Sequence, residues 1–226
     1  MTGLLSTMRL LQYGDSFFPS GAVSFSWGLE ALVLNDAVSG REGILRFVLG
    51  QLHARWAPFE RAVVAAAHRA SDSLEAVARI DERVEILTPA EELRSGSRRM
   101  GQAMLSVFER LETPGAADYR GRVRHKDACG HLAVMQGFLW ARTGFSEGEA
   151  IALSAHTLCI GLLGAAVRLG ALTHIDAQQI LAEARRLADL LSADPPPDID
   201  SAATSGIEAE IAIIQHTRNP TRMFTN

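Results

Sequence analysis

Between Ala150 and Val167 the chain runs for eighteen residues without one full charge. A segment of that length and composition either spans a bilayer or is buried in a protein core. Its flanks and contents favour the core. Ser146 and Glu149 have capping-box spacing ahead of it, Arg168 follows at once, and Gly170 stands where a helix C-cap belongs. Inside it lie Ser154, His156, Thr157, Gly161 and Gly164, with many alanines. A fully buried central helix over about 147–169 is the expectation, and the rest of the chain has to wall it in.

The remaining segments read as helices. No sustained period-two alternation and no Asn-Gly or Asp-Gly hairpin occurs. Ser39 and Glu42 repeat the capping-box spacing before Ile44, Leu45, Phe47, Val48 and Leu52. Pro58 sits where a new helix could start. Thr88-Pro89-Ala90-Glu91 offers an N-cap, a first-turn proline and a capping-box Glu for a helix running to about Leu111. Asp176 caps a helix carrying Ile180, Leu181, Leu187, Leu190 and Leu191, Pro195-Pro196-Pro197 is a stiff break, and a last short helix is expected near Ile207–Gln215. With 226 residues, 47% of them hydrophobic, the chain can bury a single core. The expected fold class is all-α: one domain over 1–226, a bundle of about eight to ten helices around the central one. The N-terminal (1–12) and C-terminal (217–226) segments have little core of their own and are expected to be flexible until a partner orders them.

Charge narrows the function classes. A net charge of -4 gives no footprint for nucleic acid, and no polybasic run suggests a membrane surface. Met1–Leu11 lacks the basic start and cleavage site of a signal peptide. Cys129 and Cys159 are far apart and read as free thiols in a reducing compartment, so a cytoplasmic location is expected.

Catalytic motifs are missing. There is no Gly-x-Ser-x-Gly, no Gly-x-Gly-x-x-Gly and no phosphate-binding lysine loop, the single lysine being Lys126. Asp81, Glu82, Glu91 and Glu92 read as helix starts and charged faces. On one helix His125 and Cys129 would be i,i+4 neighbours, the spacing of paired zinc ligands, with His131 on another face. A metal site or enzyme built on His125, Cys129 and His131 therefore stands as the alternative to capping and core-facing roles. His156, alone among apolar neighbours, must find a hydrogen bond, inside the fold or at a groove or interface.

Three features exceed what packing needs. Asp15–Glu30 crowds Phe17, Phe18, Phe25 and Trp27 around Pro19 and Gly21, with Ser24 or Ser26 able to cap the helix that follows. Glu91–Gln102 holds Gly96 and Gly101 inside a helix, at a cost of roughly 1 kcal/mol each, which close helix–helix approach would offset. Arg222-Met223-Phe224 places a cation beside two apolar anchors near the end of the chain.

These features resemble the UreF family of urease accessory proteins. Ser16, Pro19, Gly21, Ser26, Gly28, Leu29 and Glu30 match its signature Ser-Pro-x-x-Pro-x-Gly-x-x-x-x-Ser-x-Gly-Leu-Glu, with Phe17 where the first proline often stands. Glu92-Leu93-Arg94 and Ser97-Arg98-Arg99-Met100-Gly101 are similar to a second motif. Ala166-Val167-Arg168-Leu169 with Asp176 and Gln178 is similar to a third. Thr221-Arg222-Met223-Phe224 is similar to the Ser-Arg-Leu-Phe ending, with Pro220 where a tyrosine is common. His156 falls where some members have an aromatic. The resemblance implies a non-enzymatic, all-helical protein without cofactor. It implies a homodimer that binds a UreD/UreH-like accessory protein, recruits a UreG-like GTPase and docks on apo-urease to assist nickel insertion. Phe17, Pro19, Gly21, Trp27, Glu30, Arg98, His156, Arg168, Arg222 and Phe224 are the partner-binding residues expected from it.

Overall fold

A computed structural model describes residues 3–19, 25–204 and 224. Gly21, Arg222 and the helix expected near 207–215 lie outside the described residues. In chain order the α-helices are α1 (Leu4–Gly14), α2 (Leu29–Leu34), α3 (Gly40–Gln51), α4 (Arg61–Arg69), α5 (Leu74–Leu87) and α6 (Glu91–Arg110). They are followed by α7 (Ala116–His125), α8 (Leu132–Arg142), α9 (Glu147–Arg168) and α10 (His174–Leu191). A π-helical segment, Leu52–Glu60, joins α3 to α4 without a break, and a short 3-10 turn lies at Ile199–Ser201. Among the described residues there is no strand, so the fold is all-α.

Local chemistry accounts for several boundaries. Glu149 donates its backbone N–H to Ser146 Oγ (3.3 Å) and its carboxylate accepts from Ser146 N (2.8 Å), which completes the predicted capping box on α9. Asp176, expected to cap α10, stands at its third position instead: Thr173 is the N-cap, and the two side chains form a second capping box. Ser39 is the N-cap of α3 but makes no side-chain capping bond. Thr88, predicted to cap α6, closes α5 instead: its hydroxyl donates to the Val84 carbonyl (2.8 Å), and Ala90 takes the N-cap place. Pro58 does not start a helix. It lies inside the π-helical segment, where the wider turn accommodates a residue that lacks an N–H and crowds the preceding turn.

The core has two lobes. One gathers Phe25, Trp27, Leu29, Ile44, Val48, Leu52 and Trp56 against Leu158–Ala166 and the inner face of α10. The other gathers Val63, Val64, Met104, Phe108, Tyr119, Phe138 and Trp140 against Ala150 and Leu153. Thus α9 contributes its first turns to one lobe and the rest to the other, which confirms its central place. It is the one helix among the described residues long and apolar enough to cross a membrane, and 56% of its apolar window is buried within the fold. The expectation of complete burial is corrected here. His156, Thr157, Ile160, Gly161, Gly164 and Val167 form a half-buried stripe.

Two glycines allow close backbone approach. A Cβ on Gly101 of α6 would lie 2.1 Å from the Gly130 carbonyl oxygen, and one on Gly137 of α8 would lie 2.3 Å from that of Val64. The first is the close approach that the sequence required, although it is made to a loop rather than to another helix.

Candidate functional site

The aromatic N-terminal segment divides between core and surface. Asp15 Oδ1 accepts from Phe17 N (2.7 Å) and turns the chain at the end of α1. That turn leaves Phe17 94% exposed and Pro19 exposed, while Phe18 packs on Tyr13 (5.1 Å between ring centroids) and Phe108 (5.6 Å). Phe25 is buried against Gly96, and Trp27 is buried with the Arg55 guanidinium 3.5 Å above its ring. Trp27 adopts φ 54, a left-handed conformation costing roughly 1–2 kcal/mol for a residue with a Cβ, ahead of Gly28 at φ 83. Ser26 Oγ accepts from Glu30 N (3.3 Å) in the first turn of α2. Glu30, only 2% exposed, accepts the Phe224 N–H through Oε2 (3.2 Å). Phe224 is itself buried, with the Arg168 guanidinium 4.8 Å from its ring centre. The last of the C-terminal anchors is therefore seated on this fold.

A groove of about 720 Å³ lies along the open stripe of α9, between the turn after α1 and the start of α10. Phe17, His156 and Arg168 all line it, together with Phe18, Ile160 and Val167. His156 Nε2 donates to the Gly14 carbonyl (3.0 Å), so the lone histidine finds its partner inside the fold and also faces a groove. Burial holds its pKa below the ordinary histidine value. Arg168 is exposed overall, but partial desolvation against the groove lowers its pKa from the ordinary arginine value. Three sequence candidates from distant positions thus meet on one surface. Trp27 and Glu30 are buried and do not line it, and Arg98 belongs elsewhere.

Arg98 pairs with Glu85 and Glu91, both at 2.7 Å, beside a polar cluster that sequence reasoning missed. Asp81, read from sequence as a solvated helix residue, is fully buried. It accepts four hydrogen bonds: from Tyr119 Oη (2.9 Å) and from the backbone N–H groups of Cys129 (2.8 Å), Gly130 (2.6 Å) and His131 (2.9 Å). The α7–α8 loop is wrapped around that one carboxylate. The helical spacing of His125 and Cys129 is consequently not realised, because α7 ends at His125 and Lys126–His131 is loop. His125 is exposed and donates to the Gly121 carbonyl (2.8 Å). Cys129 and His131 instead come together with Glu85 of α5. Burial, with the Asp81 and Glu85 carboxylates, pushes the Cys129 thiol up to about 11, so it is no thiolate nucleophile at neutral pH. His131 is pushed below its ordinary value, first by burial.

A sequence model of UreF matches residues 38–185, from the entry to α3 into α10. The chain belongs to the UreF family. The relatives extend the likeness beyond that span. A protein of Trichodesmium erythraeum named urease accessory protein UreF is 29% identical, with 97% of this chain and 96% of the relative covered. Proteins of the same name from Yersinia enterocolitica and Yersinia pseudotuberculosis are each 27% identical, with 97% of both chains covered. The groove and the buried Glu30–Phe224 contact are thus features of a UreF-family chain.

Proposed function

We propose that this chain is a urease accessory protein: a non-catalytic, cytoplasmic adaptor that assists nickel insertion into apo-urease. The observation that carries the reading is the nearly end-to-end likeness to proteins named urease accessory protein UreF. In this role the chain forms a homodimer, binds a UreD/UreH-like accessory protein and recruits a UreG-like GTPase. Phe17, His156 and Arg168 on the groove are the leading contact residues. Pro19, Gly21, Trp27, Glu30, Arg98, Arg222 and Phe224 complete the proposed set, with Trp27, Glu30 and Phe224 acting by shaping the surface from within. The exposed Phe17 ring supports the reading, because aromatic and Arg anchors dominate interface energies. The terminal segments 1–12 and 217–226 are proposed to settle fully only against these partners.

The test is co-expression of urease structural subunits with the other accessory proteins, with and without this chain, in nickel-supplemented cells. Urease activity at background level without the chain, restored when it is supplied, is the expected result. Full activity in its absence overturns the reading.

A further inference from the structure

Glu85, Cys129 and His131 form a constellation that adaptor function does not use. Glu85 comes from α5, and the other two from the loop before α8. One ligating atom from each lies within 4.8 Å of the others. His131 Nε2 donates to Glu85 Oε2 (2.7 Å), while Arg98 (2.7 Å) and Arg94 (3.3 Å) both occupy Oε1, so Oε2 is the oxygen turned toward the imidazole. Ligand bonds of about 2.0–2.3 Å around one ion fit a trio this tight after small side-chain adjustments.

The supporting residues are in place as well. Asp81 fixes the backbone of both loop ligands through three N–H bonds. Ser97 Oγ lies 3.1 Å from His131 Nδ1 and also accepts from Leu132 N (3.2 Å). A ligating histidine usually has its second nitrogen held in this way. His131 is fully buried, whereas Cys129 and Glu85 are half-buried and form an edge through which an ion can enter.

The geometry points to Glu85, Cys129 and His131 as a binding site for one divalent cation of the zinc, cobalt or nickel class. One sulfur, one imidazole and one carboxylate make a borderline-soft donor set, whereas magnesium and calcium prefer oxygen alone. Three protein ligands leave a fourth position for water. Charge and protons balance. The Cys129 thiol releases its proton to solvent, and the His131 proton moves from Nε2 to Nδ1, where it is donated to Ser97 Oγ. The Cys129 thiolate and the Glu85 carboxylate bring negative charge to the ion, Arg98 and Arg94 remain on Oε1, and the buried Asp81 carboxylate behind the loop adds further negative charge. The site is independent of the partner-binding groove.

The experiment titrates the metal-stripped full chain with Co²⁺, following the near-ultraviolet thiolate-to-metal charge-transfer band, and then adds Zn²⁺ in competition. One ion per chain and a band displaced by Zn²⁺ are expected. Cys129→Ser should abolish the band while Cys159→Ser keeps it. Ser97→Ala should weaken binding about 10–100-fold, as loss of a supporting partner does elsewhere. Circular dichroism checks that each variant is folded. No band in the wild type, or a band that survives in folded Cys129→Ser, overturns the proposal. Because no urease enters the measurement, its failure leaves the adaptor reading standing, and the converse holds too.

Discussion

At His156, burial and one carbonyl set the protonation state. The imidazole is half-buried among α1, α9 and α10, and burial is the main force holding its pKa down; the hydrogen bond to Gly14 opposes this, and Arg185 adds to it. Its folded pKa therefore lies below the unfolded value of about 6.5. A histidine of this kind favours folding as the neutral ring. Its contribution is complete above about pH 6.5 and is lost as pH falls from there through the folded pKa. Urea midpoints measured at about pH 7.5 and about pH 5 should show a smaller drop in His156→Gln than in wild type. Equal drops would remove His156 as the titrating group. Asp81 is governed instead by groups far from it in sequence. Its role depends on Tyr119 and on backbone groups 48 to 50 residues away, and nothing in its own neighbourhood announces them. Sequence places it on a helix, and only the fold reveals that the helix face points into a loop.

Among the elements, α6 meets the α7–α8 loop at the tightest glycine contact. A Cβ at Gly101 would stand 2.1 Å from the Gly130 carbonyl and 2.7 Å from the His131 carbonyl carbon, both backbone atoms that cannot swing aside. Gly101→Ala should destabilise the protein by about 1–3 kcal/mol through overpacking, despite the gain of roughly 1 kcal/mol in helix propensity. Gly161→Ala on α9, with nothing within 4 Å of the new methyl, should instead be neutral or slightly stabilising. Denaturant midpoints of the two variants test the contrast, and a Gly101→Ala protein as stable as wild type would contradict it. The two glycines are indistinguishable by local sequence rules. What sequence does reveal about elements is what neighbours within four residues determine: the capping box of α9, the all-helical class and the length of α6. It misleads where a distant group decides. His125 and Cys129 have helical spacing, yet Asp81 draws the second of them into a loop. Pro58 resembles a helix start, yet packing on both sides carries the helix through it.

Across the whole molecule, the groove gathers candidates from the turn after α1 and from α9, segments far apart in sequence. The family motifs identify Phe17 and Arg168 as residues of interest, but their meeting on one surface is tertiary and has no local signature. Arg168 is exposed and lies over the Phe224 ring, a cation–π contact of about 0.5–1 kcal/mol at such a site. Arg168→Ala should consequently leave the melting temperature within a few degrees while weakening capture of a UreG-like GTPase in pull-downs of the assembled accessory complex. Undiminished capture would remove Arg168 from the contact set. A last consequence concerns the order of events in the cell. Both lobes of the core are closed by α9, the ninth of ten α-helices among the described residues. The apolar faces of α3, α4 and α6 thus emerge from the ribosome well before the strut that covers them. A nascent chain that has not reached Arg168 leaves both core lobes open, so the fold is expected to close late in synthesis, with those apolar faces exposed until then.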